Sequence, residues 1–274
     1  MSRKIDFSGR YAIVTGSAGG IGFEFAKALA LKGCSLILID INQERLQSAV
    51  AEIKSVTKEL NSYIDIYCLT LDLSDENLIE KIEEYCGNYS LDPTILINNA
   101  GIFSFNPIAD TSSKKIELFI DLHVRAVTLI SRWFCNRCRA KGEGWLLNMS
   151  SMSCWMPMPG IALYSATKAY IRVLSRAMHY ELKDSGVTVT VACPGGIATD
   201  LFGLPENLRN LAVKLGVLAL PETFARKAVR KMLKGRKQYI NGLLNRISIF
   251  AVAVTPTPVR MLVKRKMLDK GIRV

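Results

Sequence analysis

The apolar residues of this chain fall into two rhythms that alternate along it. Short runs are bounded by glycine, asparagine, serine or proline, as buried strands are: Y-A-I-V-T at 11–15, S-L-I-L-I-D ending at Asp40, T-I-L-I-N-N-A-G ending at Gly101, W-L-L-N-M-S-S ending at Ser151, and V-T-V-T-V-A-C ending at Cys193. Between them the apolar positions recur at helical spacing, from Ile21 to a stop at Gly33, then over 42–60, near 74–85, from about 111 to 141, and from near Ile161. I-D-I-Y-C-L-T-L-D-L supplies another strand, ending at Asp72 and Leu73. A helix from Pro221 carries Phe224, Ala228, Val229 and Met232, and Q-Y-I-N-G reads as a last strand. Strand and helix in alternation predict an α/β fold with a doubly wound parallel sheet.

The turns between these elements carry candidate chemistry. After the first strand comes T-G-S-A-G-G-I-G, in which Gly16, Gly20 and Gly22 form T-G-x-x-x-G-x-G around Ser17 and Ile21. Glycine is needed where the backbone turns sharply and where a pyrophosphate must approach its N–H groups at a helix N-terminus. Asp40, followed by Ile41, lies 24 residues after Gly16 at the tip of the second strand. A carboxylate there accepts both adenosine ribose hydroxyls and repels a 2′-phosphate, so NAD is expected over NADP. No Arg or Lys stands in the turn or directly after Asp40 to receive the phosphate. Asp72 and Leu73 are expected to flank the adenine, with the Asn99-Ala100-Gly101 turn at the end of the fourth strand.

The stretch from Asn148 to Lys168 holds a serine, a tyrosine and a lysine. Tyr164 and Lys168 are four residues apart and share a helix face, and Ser151 precedes Tyr164 by thirteen residues. A phenol titrates near ~10, so proton transfer at neutral pH asks for a fall of roughly 2–3 units, about 3–4 kcal/mol, which an adjacent ammonium and a cofactor's positive ring could supply.

The ordered set T-G-x-x-x-G-x-G, N-N-A-G, a serine thirteen residues before Y-x-x-x-K, and P-G-x-x-x-T from Pro194 to Thr199 resembles the short-chain dehydrogenase/reductase family, over roughly residues 8–242. The resemblance implies a seven-stranded Rossmann sheet and nicotinamide hydride chemistry. Tyr164 would be the general acid/base. Lys168 would lower its pKa and bind the nicotinamide ribose, while Ser151 would polarise the substrate oxygen. Pro194, Gly195, Ile197 and Thr199 would lie along the nicotinamide, and Asn99 would help position the strand ends beneath the cofactor. One position departs from the family pattern. Where V-N-x-x-G is usual this chain reads L-H-V-R-A, placing His123 at the site of an asparagine that holds a water in a proton path from the lysine. An imidazole can serve as a relay or as a hydrogen-bonded core residue.

Composition narrows the picture further. The 274 residues, 49% of them apolar, suit one α/β domain with additions. No apolar run reaches the ~18–20 residues of a spanning helix and the start lacks the apolar centre of a secretory signal, so a cytoplasmic protein is expected. The cysteines at 34, 68, 86, 135, 138, 154 and 193 are scattered among apolar residues and read as reduced; with two histidines in the chain, no metal site is expected. The net charge of +12 is concentrated: residues 204–274 hold 16 Lys/Arg against 3 Asp/Glu. These cations are interleaved with aliphatic residues rather than stacking aromatics, which argues against nucleic acid and for an anionic membrane surface.

Two domains of sequence follow: a catalytic unit over 1–242 and a basic, amphipathic extension over 243–274. The extension is expected to lie peripherally on the membrane's cytoplasmic face or to pack on the body or a second subunit. A homodimer or homotetramer is the family default. Ser153, Trp155 and Met156, in a loop rich in methionine, and Leu201, in a leucine-rich segment read as a mobile lid, are the expected substrate-pocket residues. They favour a ketone or secondary alcohol on a lipid- or steroid-like molecule. The alternatives are a small soluble ketone or polyol as substrate, or an NAD-binding interaction protein without turnover.

Overall fold

The computed structural model of the protein describes residues 7–59, 63–198 and 218–269, together with 207, 208, 210 and 213. β1 (Tyr11–Thr15) leads into α1 (Gly20–Ala30), β2 (Ser35–Asp40) into α2 (Gln43–Glu59), and β3 (Ile66–Thr70) into α3 (Leu78–Asn88). After β4 (Pro93–Asn98), α4 (Ser113–Ile120) runs through a π-helical stretch (Asp121–Ala126) into α5 (Val127–Lys141). β5 (Gly144–Met149), α6 (Ala162–Glu181), β6 (Val187–Ala192), α7 (Pro221–Leu233) and β7 (Gln238–Tyr239) follow. The strands form one seven-stranded parallel sheet in the order β3-β2-β1-β4-β5-β6-β7, a Rossmann-type doubly wound α/β fold.

Side-chain alternation explains why the strands are apolar throughout. Val14, Leu38, Ile97 and Leu147 pack on one face with Phe25 of α1 and Phe224 of α7, while Ile13, Ile37, Leu96 and Leu146 pack on the other with Ile130 and Phe134 of α5. Because successive residues point to opposite faces and helices cover both, the inner strands are buried at nearly every position, while the edge strand β3 is half-buried and ends at an exposed Thr70. The edges of the pattern are less regular. β3 stops at Thr70, short of the expected Asp72, because Asp72 Oδ1 accepts from both the N–H and the hydroxyl of Ser74 and turns the chain. Asp75 repeats the turn through the N–H of Asn77, which delays α3 to Leu78.

The helical pattern expected without a break over 111–141 is interrupted by the π stretch, which turns His123 into the interior. Beyond β7, α8 (Leu243–Ala253) and α9 (Thr257–Val263) follow, then a second π-helical stretch (Lys264–Asp269). Asn245 of α8 lies against Gly195, so the extension begins fastened to the end of β6 rather than leaving the body. No helix among the described residues is long and apolar enough to cross a membrane.

Candidate active site

The strand order reverses between β1 and β4, and a cleft of about 500 Å³ opens at their carboxyl ends. Thr15 joins the two loops there. Its Oγ1 accepts from the N–H groups of Asn99 (3.0 Å) and Ala100 (3.1 Å), while Asn99 Nδ2 donates to the carbonyls of Thr15 and Gly16 (3.1 Å each). Asn99 therefore holds the glycine turn against the fourth strand. The turn has no room for side chains. Gly16 sits at φ +63° with a Cβ position 2.8 Å from Ala100 Cα, and a Cβ on Gly22 would stand 1.9 Å from the Gly16 carbonyl oxygen. The N-terminus of α1 follows, with no side-chain cap and no acidic residue in its first turn, so its free N–H groups suit an anion.

At the outer end Asp40 is fixed by two backbone bonds, Oδ2 accepting from Ala18 N–H (3.0 Å) and Oδ1 from Asn42 N–H (3.1 Å). Arg45 of α2, five residues after Asp40, also lines this end, so a cation does stand near it. Gly16, Gly20, Ile21, Asp40, Ile41, Asn99, Ala100 and Gly101 all line the cleft, as do Pro194, Gly195 and Ile197 at its far side. The bare turn, the free helix end and the carboxylate fit a dinucleotide.

Four expected cofactor residues lie elsewhere. Ser17 is buried with its hydroxyl turned to the Ile39 carbonyl (3.3 Å), and Gly22 packs beneath Gly16. Asp72 is exposed in its turn and Leu73 is buried in the core, because β3 ends before reaching the cleft. Thr199 and Leu201 lie outside the described residues.

At the inner end the cleft gathers Ser151, Tyr164 and Lys168. β4 and β5 are tied together behind them by Asn98 Nδ2, which donates to Asn148 Oδ1 (2.9 Å), and Asn148 Nδ2 donates to Ser175 on α6 (3.0 Å). Ser150 Oγ donates to the Lys168 carbonyl (2.7 Å), pinning β5 to the catalytic helix. Ser151 Oγ accepts from Ser153 N–H (3.1 Å), which leaves its proton for the phenol.

Burial pushes the Tyr164 phenol up to about 12, against the pull of the Ser151 hydroxyl; the nearby Cys154 adds to the rise. Burial also lowers the Lys168 ammonium to about 8. Lys168 Nζ donates to the Met149 carbonyl (3.1 Å) and stands 5.7 Å from the centre of the Tyr164 ring. Without the cofactor's positive ring, burial dominates and the phenol pKa is raised, while the ammonium's hydrogen bond goes to Met149.

His123 is fully buried behind this pair. Its Nε2 accepts from Ile102 N–H (3.1 Å) and its Nδ1 lies 2.9 Å from Thr167 Oγ1, whose hydroxyl donates to the Tyr164 carbonyl (3.0 Å). Burial, then the Lys168 charge, lowers its pKa to about 2, so the ring is neutral.

Ser153, Trp155 and Met156 do not line the cleft. They form the wall of a second cavity, because the chain after Ser151 enters a short 3-10 turn (Met152–Trp155) that carries them away from the phenol. Sequence reasoning also missed Phe103, edge-on to Tyr164 at 5.0 Å, and Thr167. The place of Thr167 one residue before Lys168 was a usable signal; Phe103, in an irregular loop, gave none.

A family model described as short chain dehydrogenase matches residues 10–206. Very-long-chain 3-oxoacyl-CoA reductase-A of Danio rerio is 32% identical over 225 residues, covering 78% of this chain and 68% of the relative. The Homo sapiens very-long-chain 3-oxoacyl-CoA reductase is 29% identical over 243 residues, covering 86% and 72%. Among solved structures, a short-chain dehydrogenase from Sphingobium yanoikuyae in complex with NADPH shares the fold with a TM-score of 0.74 at 24% identity, over 96% of each chain. The chain belongs to the short-chain dehydrogenase family and is an oxidoreductase that uses a nicotinamide cofactor.

Proposed function

We propose that the protein interconverts a ketone and a secondary alcohol on a long-chain, lipid-like substrate, with Tyr164 as the proton donor and acceptor. The observation that carries this reading is the convergence of Ser151, Tyr164 and Lys168 at the inner end of the dinucleotide cleft. When bound, the nicotinamide supplies or takes the hydride. Ser151 holds the substrate oxygen beside the phenol. Tyr164 gives that oxygen its proton in reduction and removes it in oxidation. Lys168, held in the cleft by Met149, presents its ammonium to the ribose end, and the positive ring of a bound nicotinamide would supply the charge that draws the buried phenol's pKa down.

His123 acts as a positioning residue, since both ring nitrogens are engaged within the protein. The reading of the substrate as lipid-like draws on the 3-oxoacyl-CoA reductase relatives. NAD is the preferred cofactor because Asp40 is locked across the ribose end by Ala18 and Asn42, whereas Arg45 is an exposed side chain on α2. The test is cofactor oxidation with long-chain 3-oxoacyl thioesters beside short soluble ketones and polyols, using NADH and NADPH in parallel. Turnover restricted to the small substrates would refute the lipid assignment.

The extension supports a peripheral contact. Leu243, Leu244, Ile247 and Val254 are all exposed, with Arg246 among them and Arg260, Lys264, Arg265 and Lys266 further along the extension. Replacing Leu243, Leu244 and Ile247 by Asp should abolish flotation with anionic liposomes; unchanged flotation would remove the membrane reading. Family members often pair, and a dimer or tetramer measured by light scattering is the expected state.

A further inference from the structure

A second cavity, of about 570 Å³, lies on the side of α6 away from the cofactor cleft. Ala162, Ser165, Ala166 and Ala169 line it at helical spacing, on a face roughly opposite the one that carries Tyr164 and Lys168. The opposite wall is the apolar chain from Trp155 to Pro159, and Arg260 of α9 closes one side. Among the described residues the two cavities share no lining residue. The volume is within the ~300–1,000 Å³ usual for small-molecule sites.

Three polar groups in this wall lack partners. Ser165 is 6% exposed and Ser153 7%, and the Oγ of each, together with Arg260 Nε, is a buried atom without a hydrogen bond. Buried polar atoms are nearly always paired, so three unpaired ones around one apolar cavity mark a site that a ligand completes. Arg260 Nε can only donate and the two hydroxyls can donate alongside it, and no carboxylate among the described residues pairs with Arg260. The missing partner is therefore an acceptor carrying negative charge. A neutral lipid would leave the guanidinium uncompensated, and a small inorganic anion would leave the apolar wall uncovered.

We propose that this cavity binds a long-chain carboxylate, with Arg260 as its counter-charge, the two serine hydroxyls as donors, and Trp155, Met156 and Met158 against the hydrocarbon. The site is independent of the proposed reaction, because neither Tyr164 nor the cofactor cleft takes part in it.

The test is quenching of tryptophan fluorescence in the full-length protein by dibromostearate, with and without saturating NAD, and by the corresponding neutral alcohol. The expected result is saturable quenching near one equivalent, unchanged by NAD and largely lost in Trp155→Phe. Arg260→Gln should weaken dibromostearate binding about tenfold while leaving the weaker binding of the alcohol unaltered. Ala166→Trp, which fills the cavity from an exposed position, should abolish both. Equal affinity of wild type and Arg260→Gln for the carboxylate, displacement by NAD, or quenching that survives in Trp155→Phe would overturn the proposal. Loss of binding sites as the protein self-associates would give the cavity to a subunit interface instead and overturn it equally. None of these readouts involves turnover, so failure here leaves the reaction untouched.

Discussion

His123 Nδ1 and Thr167 Oγ1 stand 2.9 Å apart, and this bond fixes the imidazole's tautomer. Nε2 is already an acceptor from Ile102 N–H, so Nδ1 carries the proton and donates it to Thr167, which in turn donates to the Tyr164 carbonyl. The π stretch, the loop after β4 and the catalytic helix are thus joined through one neutral ring. The folded protein keeps this ring unprotonated down to about pH 2, while an unfolded chain takes up the proton near the ordinary value of 6.5. Between these values the unfolded state binds more protons, so stability falls as pH drops below ~6.5, by up to ~1.4 kcal/mol per unit, and the effect is absent above it.

His123→Gln should therefore lose stability at pH 7, by about 1–3 kcal/mol for a partner left unpaired, and show a shallower loss on acidification than wild type. Denaturant melts at pH 7 and pH 5 check both. As a positioning residue His123 should also contribute no step near pH 6–7 to the kcat profile of wild type. Identical pH dependence in the two proteins, or a wild-type kcat step that disappears in the variant, would contradict the positioning role.

Lys168 follows the same rule in the alkaline range. Burial holds its ammonium at about 8 against an ordinary 10.5, so the folded state releases its proton first and stability rises with pH across that window. The buried charge costs ~3 kcal/mol below pH 8, offset by ~1 kcal/mol from its bond to Met149. Lys168→Met should be more stable than wild type by about 2 kcal/mol at pH 7, with the gap closing toward pH 10.5, and should lose turnover. Thermal melts at pH 7 and pH 10 give the comparison.

Asp40→Ala should relax the preference for NAD, because the fixed carboxylate is the group a 2′-phosphate would meet. The ratio of kcat/KM for NADH over NADPH should fall by at least tenfold, about 1.4 kcal/mol. Arg45→Ala should leave the NADH value nearly unchanged. A wild type that prefers NADPH, with the preference lost in Arg45→Ala, would assign the end of the cleft to Arg45 instead.

Much of the fold was legible because its strands are buried on both faces and its turns need glycine for steric reasons. Gly16 and Gly22 could be read from sequence since no side chain fits between β1 and β4. Ser151, Tyr164 and Lys168 were legible from the ordered set of motifs and not from the Y-x-x-x-K spacing alone; a strand end and one helix face bring them together. The reach of β3 was not, because the Asp72 turn competes locally with a run that is otherwise strand-like. Nor was the fate of Ser153, Trp155 and Met156: a 3-10 turn rotates them to the other side of α6, and composition carries no trace of that direction. The raised phenol pKa was hidden because the depth of burial around Tyr164, with Phe103 and His123 packed against its ring, cannot be read from spacing. The ammonium's direction was hidden too: spacing tells that Lys168 neighbours Tyr164, but the Met149 carbonyl decides where its Nζ points.

Tyr164→Phe bears most directly on the reaction. The substitution removes one hydroxyl from a buried site and leaves the glycine turn, Asp40 and Lys168 in place. NADH titration by fluorescence should give a dissociation constant within about twofold of wild type, while kcat for a long-chain 3-oxoacyl thioester falls by roughly 10²–10⁴-fold. A Tyr164→Phe protein that binds NADH and still reduces the thioester at a rate near that of wild type would contradict the assignment.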